Sequence, residues 1–581
     1  MNRRHSAETI LFLLIVGAAA ALRLPGLDRA PPELNQDEAS RGVDAWQIYN
    51  TGADRHGQRW PLFLESFGPG DWTAALTTYI TVPFVAMLGP TSVAMRLPDA
   101  LLGTATVAVV YFWLRRARGW VFAFSAAAVL AVNPWHVALC RTAHESGFAP
   151  FFLALALFGL DRAGIVPVGD AELTSSNRRR LICAAMAGVM LGLHTWCYPA
   201  TRMFTPLLCL AIGLAFWRRL LALVANRDGR RILASGFVGV VVGAAPIWIT
   251  ALSHPERLAA RAAVTMRIFA GGSTAAMTAD LARNWLRNID PRYLFLQADE
   301  MSGALIPAVG QHMPAVAPLL LAGLLVCIAT CRSSPWARLV VAWWIIHPLP
   351  AALCLDWNPH PMRTVGGMLV YPVLAATGLA WLMTVRDAGQ VARRRAVVAV
   401  IGLAFAANAL YFCRVYFQAY PPTVEASYQT AFIRALRAAD AEDPAGLTRY
   451  LVTNSVVQPY IFAMWLEAVR TNRAVPIDFE AASGPRGFHQ VTGWGRFAFA
   501  PMHPDGHEDA VQLFHRRYGQ WMYDGRPIRA IVRESEAEDR RILSRFDHGD
   551  GRNRRENFVI CEMMAEDRGN AASQPVQATP R

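Results

Sequence analysis

The stretch Asn35-Gln36-Asp37-Glu38-Ala39-Ser40-Arg41 lies just beyond the first apolar run of the chain, Thr9 to Leu24. It places two adjacent carboxyl groups close to a predicted membrane boundary. Charged groups are costly to hold near hydrocarbon, so acids in such a place more often belong to a working site than to packing. The other interpretation is a solvated loop, and the stretch by itself leaves both open.

The composition indicates a polytopic membrane protein. The 581 residues are 54% hydrophobic and only 17% charged, which is too apolar for an ordinary soluble enzyme. The net charge of +13 comes from arginine, because the chain contains no lysine, and the arginines cluster between apolar runs. That pattern reflects membrane orientation and excludes nucleic acid as a partner. The nine cysteines show no metal-ligand spacing.

The apolar runs predict about eleven membrane-spanning helices, since each crossing needs about 20 apolar residues. The candidate spans are residues 8–25, 97–114, 120–138, 148–163, 181–198, 203–217, 232–252, 314–331, 336–355, 364–385 and 396–414. The apolar piece 73–89 is short and contains Pro83. Counting it as a span would put the amino terminus opposite the other arginine clusters, so we interpret it as an interfacial helix.

This topology predicts a membrane domain over residues 1–417, with outer loops at 26–96 and 253–313. Residues 418–568 turn polar and predict a small extracytoplasmic α/β domain, and residues 569–581 have the composition of a disordered tail. The amino terminus is then cytoplasmic. The lysine-free composition suits a high-GC bacterial genome, so we expect a multi-pass protein of the inner (plasma) membrane.

Polar residues on the predicted outer face form a candidate site. Positively charged residues should be depleted on this face, so the presence of Arg141, Arg202 and Arg363 there has to be explained. Arginine is suited to holding a phosphate through paired hydrogen bonds, which indicates a phosphate-binding role. The alternative is that each arginine reaches lipid headgroups at a helix end. The other candidates on this face are Glu65, Arg96, His144, Glu145 and Tyr293.

The order of short motifs resembles the membrane-embedded C-type glycosyltransferases. Within that group it is most similar to glycosyltransferase family 39 and its bacterial relatives, which include protein O-mannosyltransferases and aminoarabinose transferases. The resemblance spans about residues 8–415. The motifs are Asp37-Glu38, Leu62-Phe63-Leu64-Glu65, Arg96-Leu97-Pro98-Asp99, Asn133-Pro134-Trp135-His136 with Arg141, Gly192 to Pro199 with Arg202, Asp290-Pro291-Arg292-Tyr293, and Met362-Arg363.

The resemblance implies inverting transfer of a sugar from a polyprenyl-phosphate donor to a hydroxyl group. Asp37 would act as general base on the acceptor, and Glu38 would orient Asp37 or contact the acceptor. Arginines would offset the charge of the leaving phosphate, so the chemistry needs no metal or other cofactor. The implied partners are the lipid-linked donor, an acceptor (a protein, a glycolipid or an envelope glycan) and membrane lipid. Mannose is the family's default sugar.

Glu65 matches an acid of the aminoarabinose branch, but the lysine that follows it there is Ser66 here. A zinc partner for Glu65 is not identifiable from the sequence. His254, His312 and His360 stand alone, and we interpret them as loop residues.

Two other classes of protein remain open at this point. A lipid-linked-sugar transporter or flippase would also be polytopic, and His194 within a predicted span is the feature it would claim. We interpret His194 instead as a core histidine bonded to a neighbouring helix. A non-catalytic scaffold for the outer domain is the third class, and the acid- and arginine-bearing outer loops disfavour it.

Overall fold

The structure of the chain is a computed structural model. It describes residues 3–68, 71–169, 176–266, 273–296, 306, 309–355, 357–384, 388–453, 456–476, 480–483, 489–500, 526–537, 540–547 and 557–563. The predicted tail, 569–581, lies outside the described residues.

The described part of the chain is mainly helical. In chain order the helices are α1 (Arg3–Arg23), α2 (Gln36–Thr51), α3 (Leu76–Leu88), α4 (Ser92–Arg118), α5 (Trp120–Ala131), α6 (Pro134–Cys140), α7 (Ala149–Ala163), α8 (Asn177–Cys197), α9 (Pro199–Ala215), α10 (Trp217–Ala225), α11 (Arg227–Gly243), α12 (Ala245–Ser253), α13 (Pro255–Thr265), α14 (Thr274–Asn288), α15 (Pro291–Phe295), α16 (Ala317–Thr330), α17 (Pro335–Ile346), α18 (Leu349–Ala352), α19 (Val370–Thr384), α20 (Ala388–Arg414), α21 (Tyr420–Thr423), α22 (Thr430–Glu442) and α23 (Pro459–Thr471).

The strands are short and fall into two sheets. They are β1 (Phe63–Glu65), β2 (Trp72–Ala74), β3 (Arg449–Val452), β4 (Glu480–Ser483), β5 (His489–Trp494), β6 (Phe497–Phe499), β7 (Ile528–Arg533), β8 (Ile542–Phe546) and β9 (Phe558–Glu562). Strands β1 and β2 form an antiparallel pair, and the other seven form one sheet in the order β4-β5-β6-β3-β7-β9-β8. In that sheet β3 pairs in parallel with β6 and β7, while the remaining pairs are antiparallel.

The chain divides into two compact units. The helical unit contains residues 1–27, 96–255 and 265–418, and the sheet-bearing unit contains residues 28–95, 256–264 and 419–581. The segment with Asp37 therefore belongs to the same unit as the carboxyl-terminal sheet. The predicted polytopic helical fold with a small α/β domain is confirmed.

Within the described residues, six helices are long and apolar enough to cross a membrane, or up to nine if each of three bent pairs counts as one span. The sequence predicted about eleven. The two predicted crossings beyond nine are 314–331 and 336–355, where the helices α16 and α17 have only 14 and 12 residues. Helix α3 has 13 residues, fewer than the about 20 that a crossing needs, in agreement with an interfacial helix.

Glycines allow the closest helix approaches in the helical unit. A Cβ atom at Gly188 of α8 would overlap the carbonyl oxygen of Gly236 on α11, and one at Gly323 of α16 would overlap that of Leu374 on α19. Small residues at helix interfaces are how membrane helices gain van der Waals contact when lipid is as apolar as their own side chains.

Candidate active site

Asp37 lies in the first turn of α2. Asn35 caps this helix: its side-chain oxygen accepts a hydrogen bond from the Glu38 backbone N–H at 2.9 Å, and the Glu38 carboxylate accepts one from the Asn35 N–H at 3.0 Å. This reciprocal capping box satisfies two backbone donors that would otherwise be unpaired. Glu38 is 1% exposed, whereas Asp37 is exposed. The two neighbouring acids therefore occupy different environments.

A buried arginine that the sequence analysis missed fixes α2 against the β1 strand. One Arg55 nitrogen donates to Asp44 Oδ2 at 2.9 Å and to Ser40 Oγ at 2.6 Å, both on α2. The other donates to the carbonyl oxygens of Glu65 and Ser66. Burial raises the pKa of Asp44 to about 7, and the Arg55 charge opposes that rise. Arg55 thereby sets the position of α2 relative to the Glu65 strand.

The other face of α2 packs on the carboxyl-terminal part of the sheet-bearing unit. The Gln47 amide donates to the Val475 carbonyl at 2.7 Å and accepts from the Val475 N–H at 2.9 Å. Trp46 Nε1 donates to the Arg473 carbonyl at 2.7 Å. A Cβ atom at Gly42 would lie 2.6 Å from the Trp465 ring. Residues more than 400 positions later in the sequence therefore hold the helix that carries Asp37.

In the helical unit, three fully buried arginines donate to backbone carbonyls at or beyond helix ends. Arg23 donates to the Leu130 and Ala131 carbonyls at the end of α5, and Arg96 donates to the Leu27 carbonyl at 2.8 Å. Arg141 donates to the carbonyls of Leu22, Arg23 and Gly26 at the end of α1, at 2.8 to 3.2 Å. Cations are favourable at helix C-termini, where carbonyl groups lack helical partners. Arg96 and Arg141 therefore stabilise the structure by pairing these carbonyl groups. A phosphate-binding role for Arg141 stays a prediction.

We expect Arg141→Met to destabilise the protein by about 3 kcal/mol, because it leaves buried carbonyl oxygens at the end of α1 without donors. Thermal unfolding of the purified protein in detergent measures this effect. Arg292→Met is the matched control, since Arg292 is exposed. Equal stability of the two variants would contradict the capping role.

Arg202 lies in the first turn of α9 and interacts electrostatically with Glu145. Glu145 begins a short 3-10 turn that is capped by His144, whose ring accepts from the Ser146 N–H. The His144 ring also packs edge-on against Tyr198, with 5.8 Å between ring centroids. The structure thus brings three predicted residues, Arg202, Glu145 and His144, into one polar cluster.

Arg363 lies beside the helix that carries Arg202. It is 9% exposed and lies two residues before the tight turn at Val365–Gly367. A Cβ atom at Gly366 would lie 2.6 Å from the ring of Phe204 on α9, and the Gly366 carbonyl accepts a hydrogen bond from Trp343 Nε1 at 2.7 Å. The segment that follows Arg363 is therefore held by α9 on one side and by Trp343 of α17 on the other.

Tyr293 of α15 is also buried, at 7% exposed. The next residue, Leu294, accepts a hydrogen bond from the backbone of His312 at 2.7 Å. The interpretation of His312 and His360 as loop residues agrees with the structure, since neither belongs to a helix or a strand, but both side chains are buried. His312 bonds Asn133 at 2.7 Å and contacts the Tyr371 ring, whose hydroxyl lies 3.2 Å from His347 Nε2. The positions of Asn133, His312, His347 and Tyr371 in the sequence give no sign of this network.

The interpretation of His194 as a core histidine is confirmed. Its ring bonds Thr205 Oγ1 of the neighbouring helix α9 at 2.7 Å, and the side chain is fully buried. This contact accounts for the one intramembrane feature that a transporter would claim.

The fold is that of the C-type membrane glycosyltransferases, and the chain is a multi-pass membrane protein. Among solved structures it is similar to ArnT from Cupriavidus metallidurans bound to undecaprenyl phosphate, with a TM-score of 0.52 and 13% sequence identity over 95% of this chain and 98% of that chain. The apo state of the same protein matches with a TM-score of 0.50 and 12% identity over 97% and 99% of the two chains. No protein-family model and no curated protein matches the sequence.

Proposed function

We propose that this protein transfers a sugar from a polyprenyl-phosphate donor to a hydroxyl acceptor, with inversion at the anomeric carbon. The main support is the similarity of the fold to that of ArnT from Cupriavidus metallidurans, which covers almost the whole of both chains. The structure of that protein contains bound undecaprenyl phosphate. The acceptor is a protein, a glycolipid or an envelope glycan. The working face is the outer side of the inner membrane, because the arginine clusters between spans favour the cytoplasmic side.

In the proposed step Asp37 takes the proton of the acceptor hydroxyl. The hydroxyl oxygen bonds to the anomeric carbon as the bond from that carbon to the phosphate oxygen breaks. The proton therefore ends on the Asp37 carboxyl group and the electron pair on the departing polyprenyl phosphate. Glu38 is a positioning residue, since its carboxylate caps the helix start that carries Asp37.

Arg202 and Arg363 are the proposed partners of the donor phosphate. The segments that carry these two arginines pack together near the start of α9. A guanidinium group can offset charge on the leaving phosphate through paired hydrogen bonds, so the step as written uses no metal or other cofactor.

We expect Arg202→Gln to raise the KM for the lipid-linked donor about tenfold or more, because it removes a charge-assisted hydrogen bond to phosphate. Initial rates at varied donor concentration measure it. Arg287→Gln, which removes an exposed arginine outside the motifs, should leave KM unchanged. A KM for the Arg202 variant within twofold of wild type would contradict the assignment.

Lipid-linked-sugar profiles of cells lacking the chain test the proposed function. The unused polyprenyl-phosphate sugar should accumulate, and a plasmid copy should reverse the accumulation. An unchanged donor pool would overturn the transferase proposal. Movement of a labelled lipid-linked sugar across proteoliposomes without any transfer would instead identify a flippase.

A further inference from the structure

A groove opens between α4, α7 and α8, all within the helical unit. Its cavity volume is about 690 Å³. Each of the three helices belongs to a segment that is long and apolar enough to span a membrane. The groove is therefore a feature of the membrane-spanning surface, and it lies among the carboxyl-terminal parts of α4 and α7 and the first two thirds of α8.

Most of the groove is apolar and open to its surroundings. Phe112, Ile182 and Met186 line it and are 47%, 54% and 53% exposed. Its depth is limited where α7 meets α8, because a Cβ atom at Gly159 would lie 2.8 Å from that of Ala187. Exposed apolar side chains on a membrane-spanning helix face lipid, so the groove is shaped for a hydrocarbon chain.

One end of the groove carries positive charge. Arg115, Arg116 and Arg162 line it, and no carboxylate is among its described lining residues. Two acids lie behind this end: Glu8 pairs with Arg115, and Asp161 pairs with Arg116 at 3.2 Å. Three guanidinium groups thus face two carboxylates, which leaves one positive charge in excess.

We propose that this groove binds an anionic phospholipid of the surrounding leaflet, with the lipid phosphate at Arg115 and Arg162 and an acyl chain along Phe112 and Met186. Charge complementarity supports this occupant: a basic pocket between membrane helices suits an anionic headgroup, and guanidinium groups pair with phosphate through two hydrogen bonds. A zwitterionic lipid would fill the apolar part equally well but would not neutralise the excess charge. The site is independent of the donor site proposed above.

Native mass spectrometry of the full-length protein in detergent tests this assignment. The protein is titrated with phosphatidylglycerol or with phosphatidylcholine of the same acyl chains, and the lipid-bound fraction is measured. We expect preferential retention of phosphatidylglycerol and an about fivefold loss of that retention in Arg162→Gln, the effect of one arginine near a lipid phosphate. Arg179→Gln is the matched control, because Arg179 is an exposed arginine of the same basic region that does not line the groove.

A second variant, Ile182→Trp, fills the apolar part of the groove without changing charge, and it too should reduce phosphatidylglycerol retention. If Arg162→Gln does not fold, this variant decides the question. Equal retention of the two lipids by the wild type, equal loss in the Arg162 and Arg179 variants, or unchanged retention by Ile182→Trp would each overturn the proposal. Stronger retention of undecaprenyl phosphate than of phosphatidylglycerol would also overturn it, by assigning the groove to a polyprenyl lipid.

Discussion

Replacing Asp37 by asparagine is expected to lower the rate of sugar transfer by about a thousandfold, with little effect on folding or membrane insertion. Asparagine keeps the size of the side chain but cannot take the proton of the acceptor hydroxyl. The Asp37 side chain is exposed at the start of α2, and the capping bonds there are made by Asn35 and Glu38. The helix should therefore survive the change. Transfer of labelled sugar from a polyprenyl-phosphate donor by the purified protein measures the loss.

Asp28→Asn is the matched control for this experiment. Asp28 is another exposed aspartate of the same unit, nine residues earlier in the chain, and its variant should transfer sugar at the wild-type rate. Transfer by Asp37→Asn within tenfold of wild type would show that another group takes the proton. A transporter or a scaffold protein would be almost insensitive to the substitution.

Arg55→Met is expected to destabilise the sheet-bearing unit by about 3 to 5 kcal/mol. The substitution leaves the carboxyl group of Asp44 buried without its cation, and it removes the donors to the carbonyls of Glu65 and Ser66. Because Arg55 fixes α2 against the β1 strand, sugar transfer should fall together with stability. Chemical unfolding followed by tryptophan fluorescence, with a transfer assay on the same sample, tests both effects.

The double variant Asp44→Leu with Arg55→Met separates charge from shape. Replacing both members of a buried ion pair by apolar residues is often neutral for stability. We expect it to recover most of the stability but not the transfer rate, since the bonds to the β1 strand stay absent. Equal destabilisation by the single and the double variant would contradict the role given to the ion pair.

Much of the fold could be predicted because it depends on local patterns. Apolar runs and clustered arginines can be recognised in each segment separately. They predicted a helical membrane protein and indicated that α3 does not cross the membrane. The capping box at Asn35 and Glu38 is also a local signal, with an acid three residues after the cap. The same residues also suit a catalytic interpretation, and for that reason the role of Glu38 in capping the start of α2 was not predicted.

The buried arginines were harder to predict because their partners are distant in sequence. Arg141 meets carbonyls 115 to 119 positions earlier, and no local pattern separates an arginine that caps a helix from one that holds phosphate. Arg55 was overlooked for a different reason: its partners lie within 15 residues, but it stands among polar residues typical of a loop, yet its side chain is fully buried. His312 does lie in a loop, but its burial could not be predicted because its aromatic neighbours, Trp135 and Tyr371, come from separate helices.

The pairing of Gln47 with Val475 has a consequence for synthesis. These residues are 428 positions apart, so a ribosome must make most of the chain before the second exists. During that time the helix that bears Asp37 has already left the ribosome, but the segment around Val475 that it packs against has not yet been made. Newly made protein should therefore gain activity only as its final quarter emerges, and premature termination should yield inserted but idle fragments.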